Sequence, residues 1–232
     1  MEYVDGESLA ALLRHTKPPL PVCARIVATA AGGLHAAHEL RDRNGMLQNV
    51  VHRDVSPQNV LLSYEGAVKV VDFGVARARG NIHTTSVGTL KGKFAYMAPE
   101  QATLAEVDRR ADIFALGILL YETTTRTRLF KAESEQATIM RVTTGAITPP
   151  SQVVSNYPAA LEQIVMKALQ RDPDKRYQTA EQLQAALESF IIRTRSLVLP
   201  SVLGKLMRET FAERIRRKRE VLRQFEADQP ML

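Results

Sequence analysis

Three short segments of the chain contain residue types that could handle metal ions and protons. Residues 52–59 read His-Arg-Asp-Val-Ser-Pro-Gln-Asn, Asp72-Phe73-Gly74 follows, and Ala98-Pro99-Glu100 comes third. The side chains of Asn59 and Asp72 offer the hard oxygen ligands that suit Mg²⁺. Any one of these short motifs can occur by chance in a protein sequence. The three together, in this order, are a strong indication of one functional site.

Short β-like runs surround the first two segments. Residues 60–62 (Val-Leu-Leu) and residues 68–71 (Val-Lys-Val-Val) flank Tyr64-Glu65-Gly66, which predicts a hairpin with a turn at these three residues. Residues 74–95 are rich in Gly, Thr and Ser and show no sustained periodicity. They predict a long loop, and a loop of that length inside a compact domain is usually functional.

The rest of the chain predicts helices, because apolar residues recur at helical spacing and prolines separate the runs. The fold class is therefore mainly α (α+β) with a small β-hairpin element. We expect the last, amphipathic helix to open at Leu199 and to extend as far as Glu226. The other predicted helices span residues 8–15, 22–40, 109–125, 134–144, 159–169 and 179–192.

Composition excludes several classes of protein. Hydrophobic residues make up 45% and charged residues 24% of the 232 residues, which is ordinary for a globular protein and unlike a disordered or fibrous one. The single cysteine, Cys23, cannot form an internal disulfide, so we expect a reducing, cytoplasmic environment. No apolar run approaches the roughly 18 residues of a membrane span, and the start does not resemble a signal peptide.

The positive net charge of +6 lies mostly beyond Phe190. The high isoelectric point therefore describes the tail, and no nucleic-acid partner is expected from it. An amphipathic helix docked on the main domain explains the tail most simply. The alternatives are a helix for self-association or for a partner, and adhesion to an anionic surface.

The three segments together resemble the protein kinase family, and in particular the bacterial eukaryotic-like (Hanks-type) serine/threonine kinases. Two segments are most similar in sequence to the myxobacterial branch: residues 52–59, and residues 96–101, which read Tyr-Met-Ala-Pro-Glu-Gln. The resemblance covers roughly residues 1–192 and implies the hinge and C-terminal lobe of that fold, with the N-terminal lobe absent. Residues 193–232 would be a basic, amphipathic helical tail.

What the resemblance implies is phosphoryl transfer from ATP to a protein Ser or Thr hydroxyl, with ATP and Mg²⁺ as cofactors and a protein as substrate. Asp54 would accept the proton of the substrate hydroxyl and orient it. Asn59 and Asp72 would hold the metal. The glycine-rich phosphate loop and the strand lysine of the family do not occur in these residues, so we expect the chain alone to be inactive. The alternative is a non-catalytic, truncated pseudokinase or interaction scaffold.

The resemblance also implies structural and nucleotide-binding roles. Met1 would be the gatekeeper of the adenine site, and Asp112 would accept backbone N–H bonds from the catalytic loop. Residues with an expected structural role are His52, Arg53, Phe73, Gly74, Glu100, Asp112 and Arg176, of which Glu100 and Arg176 would form an ion pair. Residues expected to bind ATP are Glu2 and Val4 through the backbone, Glu7 at the ribose and Leu61 beneath the adenine.

Two departures from the family pattern occur together. Ser56 stands where these kinases usually have a lysine, and Lys93 stands where they usually have a threonine after a glycine. We hypothesise that Lys93 is a catalytic residue that supplies the missing cation. The alternatives are that Lys93 points to solvent, or that Gly88-Thr89 is the true Gly-Thr pair and the segment carries an insertion.

The loop before Lys93 contains candidate phosphorylation sites. A phosphate there could pair with Arg53 and order the loop. The candidate residues are Thr84, Thr85, Ser86 and Thr89.

Overall fold

Residue types at the helix ends explain where several helices begin. In the computed structural model, Ser8, Ser134 and Thr179 each accept a hydrogen bond from a backbone N–H one turn into the helix that follows. Such side chains satisfy donors that a helix start leaves unpaired. The model describes residues 3–73 and 93–227, except for the side chains of residues 93, 222, 226 and 227.

Within these ranges the chain forms three short strands and a series of helices. The strands are β1 (Gly6–Ser8), β2 (Val60–Ser63) and β3 (Val68–Val70). The helices are α1 (Leu9–His15), α2 (Leu20–His38), α3 (Pro99–Ala102), α4 (Arg110–Thr125), α5 (Glu135–Thr144), α6 (Pro150–Val153), α7 (Ala159–Ala168), α8 (Ala180–Arg193), α9 (Pro200–Thr210) and α10 (Ala212–Ala227).

The strands form one antiparallel sheet in the order β1-β2-β3. Glu7 of β1 lies opposite Leu62, and Leu61 lies opposite Lys69 of β3. The hairpin expected from the sequence is therefore present. The pairing of β1 with it was not predicted. The turn residue Gly66 has φ +90°, a left-handed conformation that favours glycine.

The core surrounds α4, which is buried along nearly its whole length. Helix α2 packs against α4, α8 and β3. By length and composition α2 could cross a membrane, although it contains no uninterrupted apolar run of about 18 residues. Helix α2 combines alanine, valine and leucine with a few polar residues. Core helices of soluble proteins pass the same test, and Ile26, Val27 and Leu34 of α2 are buried against the helices around it.

The tail differs from its prediction. It forms two helices, α9 and α10, that meet at Phe211, instead of one continuous helix. Phe211 is only 2% exposed, and its ring lies edge-on against His15 of α1 with 5.3 Å between centroids. The break between α9 and α10 therefore falls at the residue whose ring packs on α1.

Helix α9 lies on the turn between β2 and β3. A Cβ atom at Gly66 would come within 1.8 Å of the Pro200 carbonyl oxygen, so this approach requires glycine. Leu203 and Met207 of α9 are buried in the same core as the preceding helices.

Shorter differences occur elsewhere. Lys93–Tyr96 forms a 3₁₀ turn where a loop was expected, and the two four-residue helices α3 and α6 were not predicted. Both helices begin with a proline at their first position, where the missing N–H has no cost.

Candidate active site

Asp112 holds the backbone that precedes Asp54. Its carboxylate, 1% exposed at the start of α4, accepts hydrogen bonds from the backbone N–H groups of His52 and Arg53, both at 2.8 Å. The Nε2 atom of His38, at the end of α2, lies 2.8 Å from the same carboxylate. Arg53 has φ +64°, a conformation that a non-glycine residue adopts only when its surroundings impose it. These are the hydrogen bonds that the resemblance implied for Asp112.

The ring of His52 joins the loop of Asp54 to the segment of Asp72. Its Nδ1 accepts a hydrogen bond of 3.2 Å from the Asp54 N–H, and its Nε2 lies 2.9 Å from the Val71 carbonyl oxygen. A carbonyl only accepts, so the proton of the imidazole must be on Nε2. The ring also packs on Phe73, with 4.5 Å between centroids. Both ring nitrogens bond to backbone, which is a bracing role and leaves neither for acid–base chemistry.

Asn59 lies between the two acidic residues. Its Nδ2 donates to the Asp54 carbonyl oxygen at 2.8 Å, and its own carbonyl accepts from the Val71 N–H at 2.9 Å. The first bond orients the amide so that Oδ1 points away from the backbone. Asp72 is exposed and has φ +60°. Its side chain is therefore presented on the surface by a constrained backbone.

The oxygen ligands of Asn59 and Asp72 fit a magnesium ion shared with a nucleotide better than a metal ion bound by protein side chains only. Among the described residues, no group of three or more His, Cys, Asp or Glu side chains could hold a metal. Mg²⁺ bound with nucleotides typically takes one or two carboxylates and completes its shell with phosphates and water. The Asn59 amide oxygen and the Asp72 carboxylate are hard ligands of this kind.

The segment that the resemblance assigns to the hinge, residues 3–7 of the described chain, leads into β1. Glu7 has a side chain that is 21% exposed, and it accepts a hydrogen bond of 3.3 Å from the Tyr64 hydroxyl. Arg214 of the tail forms an ion pair of 3.0 Å with the same carboxylate. Val4 and Leu61 are each partly buried, and Leu61 lies opposite Ser8 in the sheet. The resemblance implied a ribose contact for Glu7, but no local pattern in the sequence indicates the ion pair between Glu7 and Arg214.

Several expected site residues lie outside the described residues. These are Met1, Glu2, Gly74, Thr84, Thr85, Ser86, Gly88 and Thr89. Lys93 is placed by its backbone at the start of the 3₁₀ turn, but its side chain is not described.

Glu100 and Arg176, which the resemblance pairs, form a buried ion pair between α3 and the segment before α8. This contact fixes the end of the third signature segment. The next residue, Gln101, makes two further contacts. Its Oε1 accepts from the Ala98 N–H at 2.9 Å, and its Nε2 donates to the Arg53 carbonyl oxygen at 3.1 Å.

A second anchor holds the 3₁₀ turn to α4. The Tyr96 hydroxyl donates to Glu122 at 2.7 Å, and the Leu129 N–H donates to the other oxygen of that carboxylate at 3.0 Å. Burial raises the pKa of Glu122 above its ordinary value. Arg128 lies 3.4 Å from the carboxylate and 5.0 Å from the centre of the Tyr96 ring, so it partly compensates the buried charge.

A surface groove runs from Asp54 towards α5. Ser56 and Tyr96 line it beside Asp54, and it continues along charged side chains of both signs. The charged lining residues are Arg128, Lys131, Glu133, Glu135 and Arg141.

Three residues of the site were missed from the sequence: His38, Gln101 and Glu122. His38 lies at the end of an apolar helix, and the one signal in the sequence was a polar residue on a buried face. Gln101 follows the third signature segment directly and could have been found as a capping residue for α3, since a Gln at the third helical position often bonds back to the start. Glu122 is a carboxylate among apolar neighbours of α4, which indicates a buried partner.

Comparison with known proteins agrees with this geometry. The family model described as protein kinase domain matches residues 1–187. The tyrosine-protein kinase MasK of Myxococcus xanthus is 44% identical over 92% of this chain and 34% of its own length. The serine/threonine-protein kinase PknB of Mycobacterium leprae is 38% identical over 81% of this chain and 29% of its own length.

A probable serine/threonine-protein kinase of Clostridium perfringens is 34% identical over 82% of this chain and 27% of its own length. The chain thus spans about a third or less of the length of the curated relatives it matches. The match over most of the chain, with the signature segments placed as described, shows that it belongs to the protein kinase family.

Proposed function

We propose that this chain is the substrate-binding and catalytic half of a serine/threonine protein kinase that uses ATP and Mg²⁺. One observation carries the proposal. The two peptide groups on either side of Arg53, the residue before Asp54, are both held, because Asp112 accepts from the Arg53 N–H and Gln101 donates to the Arg53 carbonyl. These two bonds hold a left-handed residue and so fix the backbone that carries Asp54, as a site that orients a substrate hydroxyl needs.

Each part of the site has a proposed role. Asp54 accepts the proton of the substrate hydroxyl, and the groove towards α5 binds the polypeptide that carries it. Asn59 and Asp72 would hold Mg²⁺, which neutralises the charge that develops on the transferred phosphoryl group. Glu7 would accept hydrogen bonds from the ribose hydroxyls, and Leu61 would pack beneath the adenine.

Serine or threonine as the acceptor is the finer part of the proposal. It is supported by the names of two of the relatives, whereas another relative is named as a tyrosine kinase. A set of peptides that differ only in a central Ser, Thr or Tyr tests the choice. Transfer of radioactive phosphate to the Tyr peptide alone would exclude it.

The 232 residues by themselves are expected to be inactive. They do not include a glycine-rich loop or a strand lysine, and those parts grip the phosphates from the opposite side in this family. We expect no measurable phosphate transfer from the purified chain, and transfer when those parts precede it in one polypeptide. The Asp54→Asn variant of the longer polypeptide should be inactive.

The experiment separates the enzyme from a non-catalytic scaffold. A scaffold would show no transfer in either form, while a longer polypeptide that depends on Asp54 would be a kinase. Robust autophosphorylation by residues 1–232, lost in Asp54→Asn, would contradict the expected inactivity but not the kinase assignment.

Regulation by phosphorylation within residues 84–89 completes the proposal. Arg53 directly precedes Asp54 in the sequence, and a phosphate added in this segment could pair with its guanidinium. We expect at least one of Thr84, Thr85, Ser86 and Thr89 to be phosphorylated in the active enzyme. Mass spectrometry of active protein that shows this segment unmodified would contradict it.

A further inference from the structure

The basic tail reaches the hinge through two matched charge pairs. Asp5 and Glu7 are two residues apart in an extended segment, so their side chains lie on the same face about 7 Å apart. Lys218 and Arg214 are four residues apart on α10, which places them on one face about 6 Å apart along the helix. Arg214 pairs with Glu7, and Lys218 pairs with Asp5.

The match extends beyond the two ion pairs. Lys218 also donates to the Tyr3 hydroxyl and lies over the Tyr3 ring, 4.8 Å from its centre. Hydrogen bonds to Asp5 and to Tyr3 raise the pKa of Lys218 above its ordinary value. Tyr3, Asp5 and Glu7 are every second residue of an extended segment, so their side chains lie on the same face. Helix α10 covers this face of the hinge.

Arg214 is held in place on its other side. Its guanidinium carbon lies 5.3 Å from the centre of the Phe211 ring, and that ring is 2% exposed. A guanidinium stacked on a fixed aromatic ring loses less freedom when it bonds a carboxylate. The ion pair is therefore better ordered than a typical pair of surface side chains.

Each oxygen of the Glu7 carboxylate already contacts one side chain. Oε2 pairs with Arg214 and Oε1 accepts from Tyr64. Burial, and then the charge of Glu7, raises the pKa of Tyr64 to about 12, so its hydroxyl remains a donor. A carboxylate offers about four acceptor positions, so two remain for further hydroxyl donors.

We propose that Arg214 is a positioning residue of the nucleotide site. It fixes the Glu7 carboxylate in the orientation that accepts hydrogen bonds from the two ribose hydroxyls, so the tail forms part of the site that binds ATP. The proposal rests on the proposed function, because it takes Glu7 as the ribose contact. Arg214 lies beyond the region that the family model covers.

The test compares two nucleotides and two arginines. Binding of Mg-ADP and of Mg-2′,3′-dideoxy-ADP, which lacks both ribose hydroxyls, is measured on the 232-residue chain by ligand-observed NMR, a method suited to weak affinities. Arg214→Met is the variant. Arg216→Met is the matched control, because the ion pairs of Arg216 among the described residues are with Glu213 and Glu220 of its own helix.

Arg214→Met should weaken ADP binding about threefold to fivefold, since an exposed ion pair contributes up to about 1 kcal/mol. Binding of the dideoxy nucleotide should not change, and Arg216→Met should change neither. Arg214→Lys should restore part of the ADP affinity. Glu7→Gln should show the same loss, and adding Arg214→Met to it should cause no further loss.

Other outcomes overturn the positioning role. These are unchanged ADP binding in Arg214→Met, an equal loss for both nucleotides, which would indicate a general disturbance of the fold, and tighter ADP binding, which would mean that Arg214 competes with the ribose. In each of these cases a parent chain that distinguishes the two nucleotides through Glu7 still supports the nucleotide site. If the parent chain binds neither nucleotide, the same comparison is made on the longer polypeptide that includes the glycine-rich loop and the strand lysine, where absence of binding of both nucleotides would refute the site and the positioning role.

Discussion

Arg176 and Glu100 form a bidentate ion pair in the interior of the protein. Nη1 lies 2.6 Å from Oε1 and Nη2 lies 2.8 Å from Oε2, and the residues are 2% and 9% exposed. The guanidinium also donates to three backbone carbonyls, those of Arg110, Gln170 and Arg171. Every donor direction of Arg176 is therefore used, and the pair joins α3 to α4 and to the segment after α7.

Removal of one partner of this pair should destabilise the protein strongly. Glu100→Ala leaves a buried guanidinium without its counter-charge, which typically costs about 3–5 kcal/mol. Urea unfolding followed by circular dichroism measures the free energy of unfolding. Glu209→Ala is the control, because its pair with Lys205 is exposed and should contribute less than about 0.5 kcal/mol. A loss below about 1 kcal/mol for Glu100→Ala would contradict the prediction.

Gln101 should affect the rate of phosphoryl transfer more than nucleotide binding. In Gln101→Glu the carboxylate can still accept from the Ala98 N–H but cannot donate to the Arg53 carbonyl, so the clamp on the Asp54 loop is lost on one side. One such hydrogen bond contributes about 0.5–1.5 kcal/mol, and we expect kcat to fall about threefold to tenfold.

The measurement is steady-state kinetics on a polypeptide with a complete ATP site. The KM for ATP should remain within about twofold, since Gln101 contacts neither Glu7 nor Leu61. Gln152→Glu, at an exposed position on α6, is the control. A change in KM with constant kcat would show that the clamp does not position Asp54.

Replacement of Lys93 should lower kcat if Lys93 supplies the positive charge that Ser56 cannot. Loss of one charge-stabilising group can reduce the rate on the order of 10²-fold. The test is Lys93→Met in the same polypeptide. The double change Ser56→Lys with Lys93→Thr should recover activity, because it restores the usual arrangement of the family. A kcat within about twofold of the parent for Lys93→Met would eliminate the hypothesis.

Cys23 should be unreactive in the folded protein. Burial raises the pKa of its thiol from 9.0 to about 12, and the residue is 1% exposed on α2. Thiol reagents react with the thiolate, so labelling at pH 8 should occur only after unfolding in denaturant.

The sign of the pH dependence follows from the same shift. Between about pH 9 and 12 the unfolded chain releases the thiol proton while the folded chain retains it, so the stability contributed by Cys23 falls as the pH rises. The free energy of unfolding of the parent should therefore decrease more steeply across this range than that of Cys23→Ala. Parallel pH profiles of the two proteins would contradict the prediction.

Local signals were sufficient for most of the helices. Ser134 and Thr179 mark the starts of α5 and α8, and the prolines between the helices exclude continuation, so these boundaries were predicted within about two residues. The signature segments also predicted the contacts of Asp112 and of Glu100, because the family pattern fixes them residue by residue.

The features missed in the tail and at the start of the chain depend on contacts between distant parts of the chain. The break at Phe211 falls where its ring packs on His15, and periodicity within the tail carries no information about α1. The sequence around Glu7 likewise carries no information about its partner Arg214. Gln101 bonds to Arg53 across the fold, so only its capping bond to Ala98 could be inferred locally.

The burial of Leu203, Met207 and Phe211 affects how this chain can be recombined with other kinases. These side chains belong to one core with α1 and the hairpin, although the family match ends at residue 187. A chimaera joined at that point would leave an apolar surface on the donor lobe and would remove the helix that covers the hinge. Exchange of specificity between this protein and its relatives therefore requires that the junction be placed after α10, or that the foreign lobe bring its own cover for the turn at Gly66.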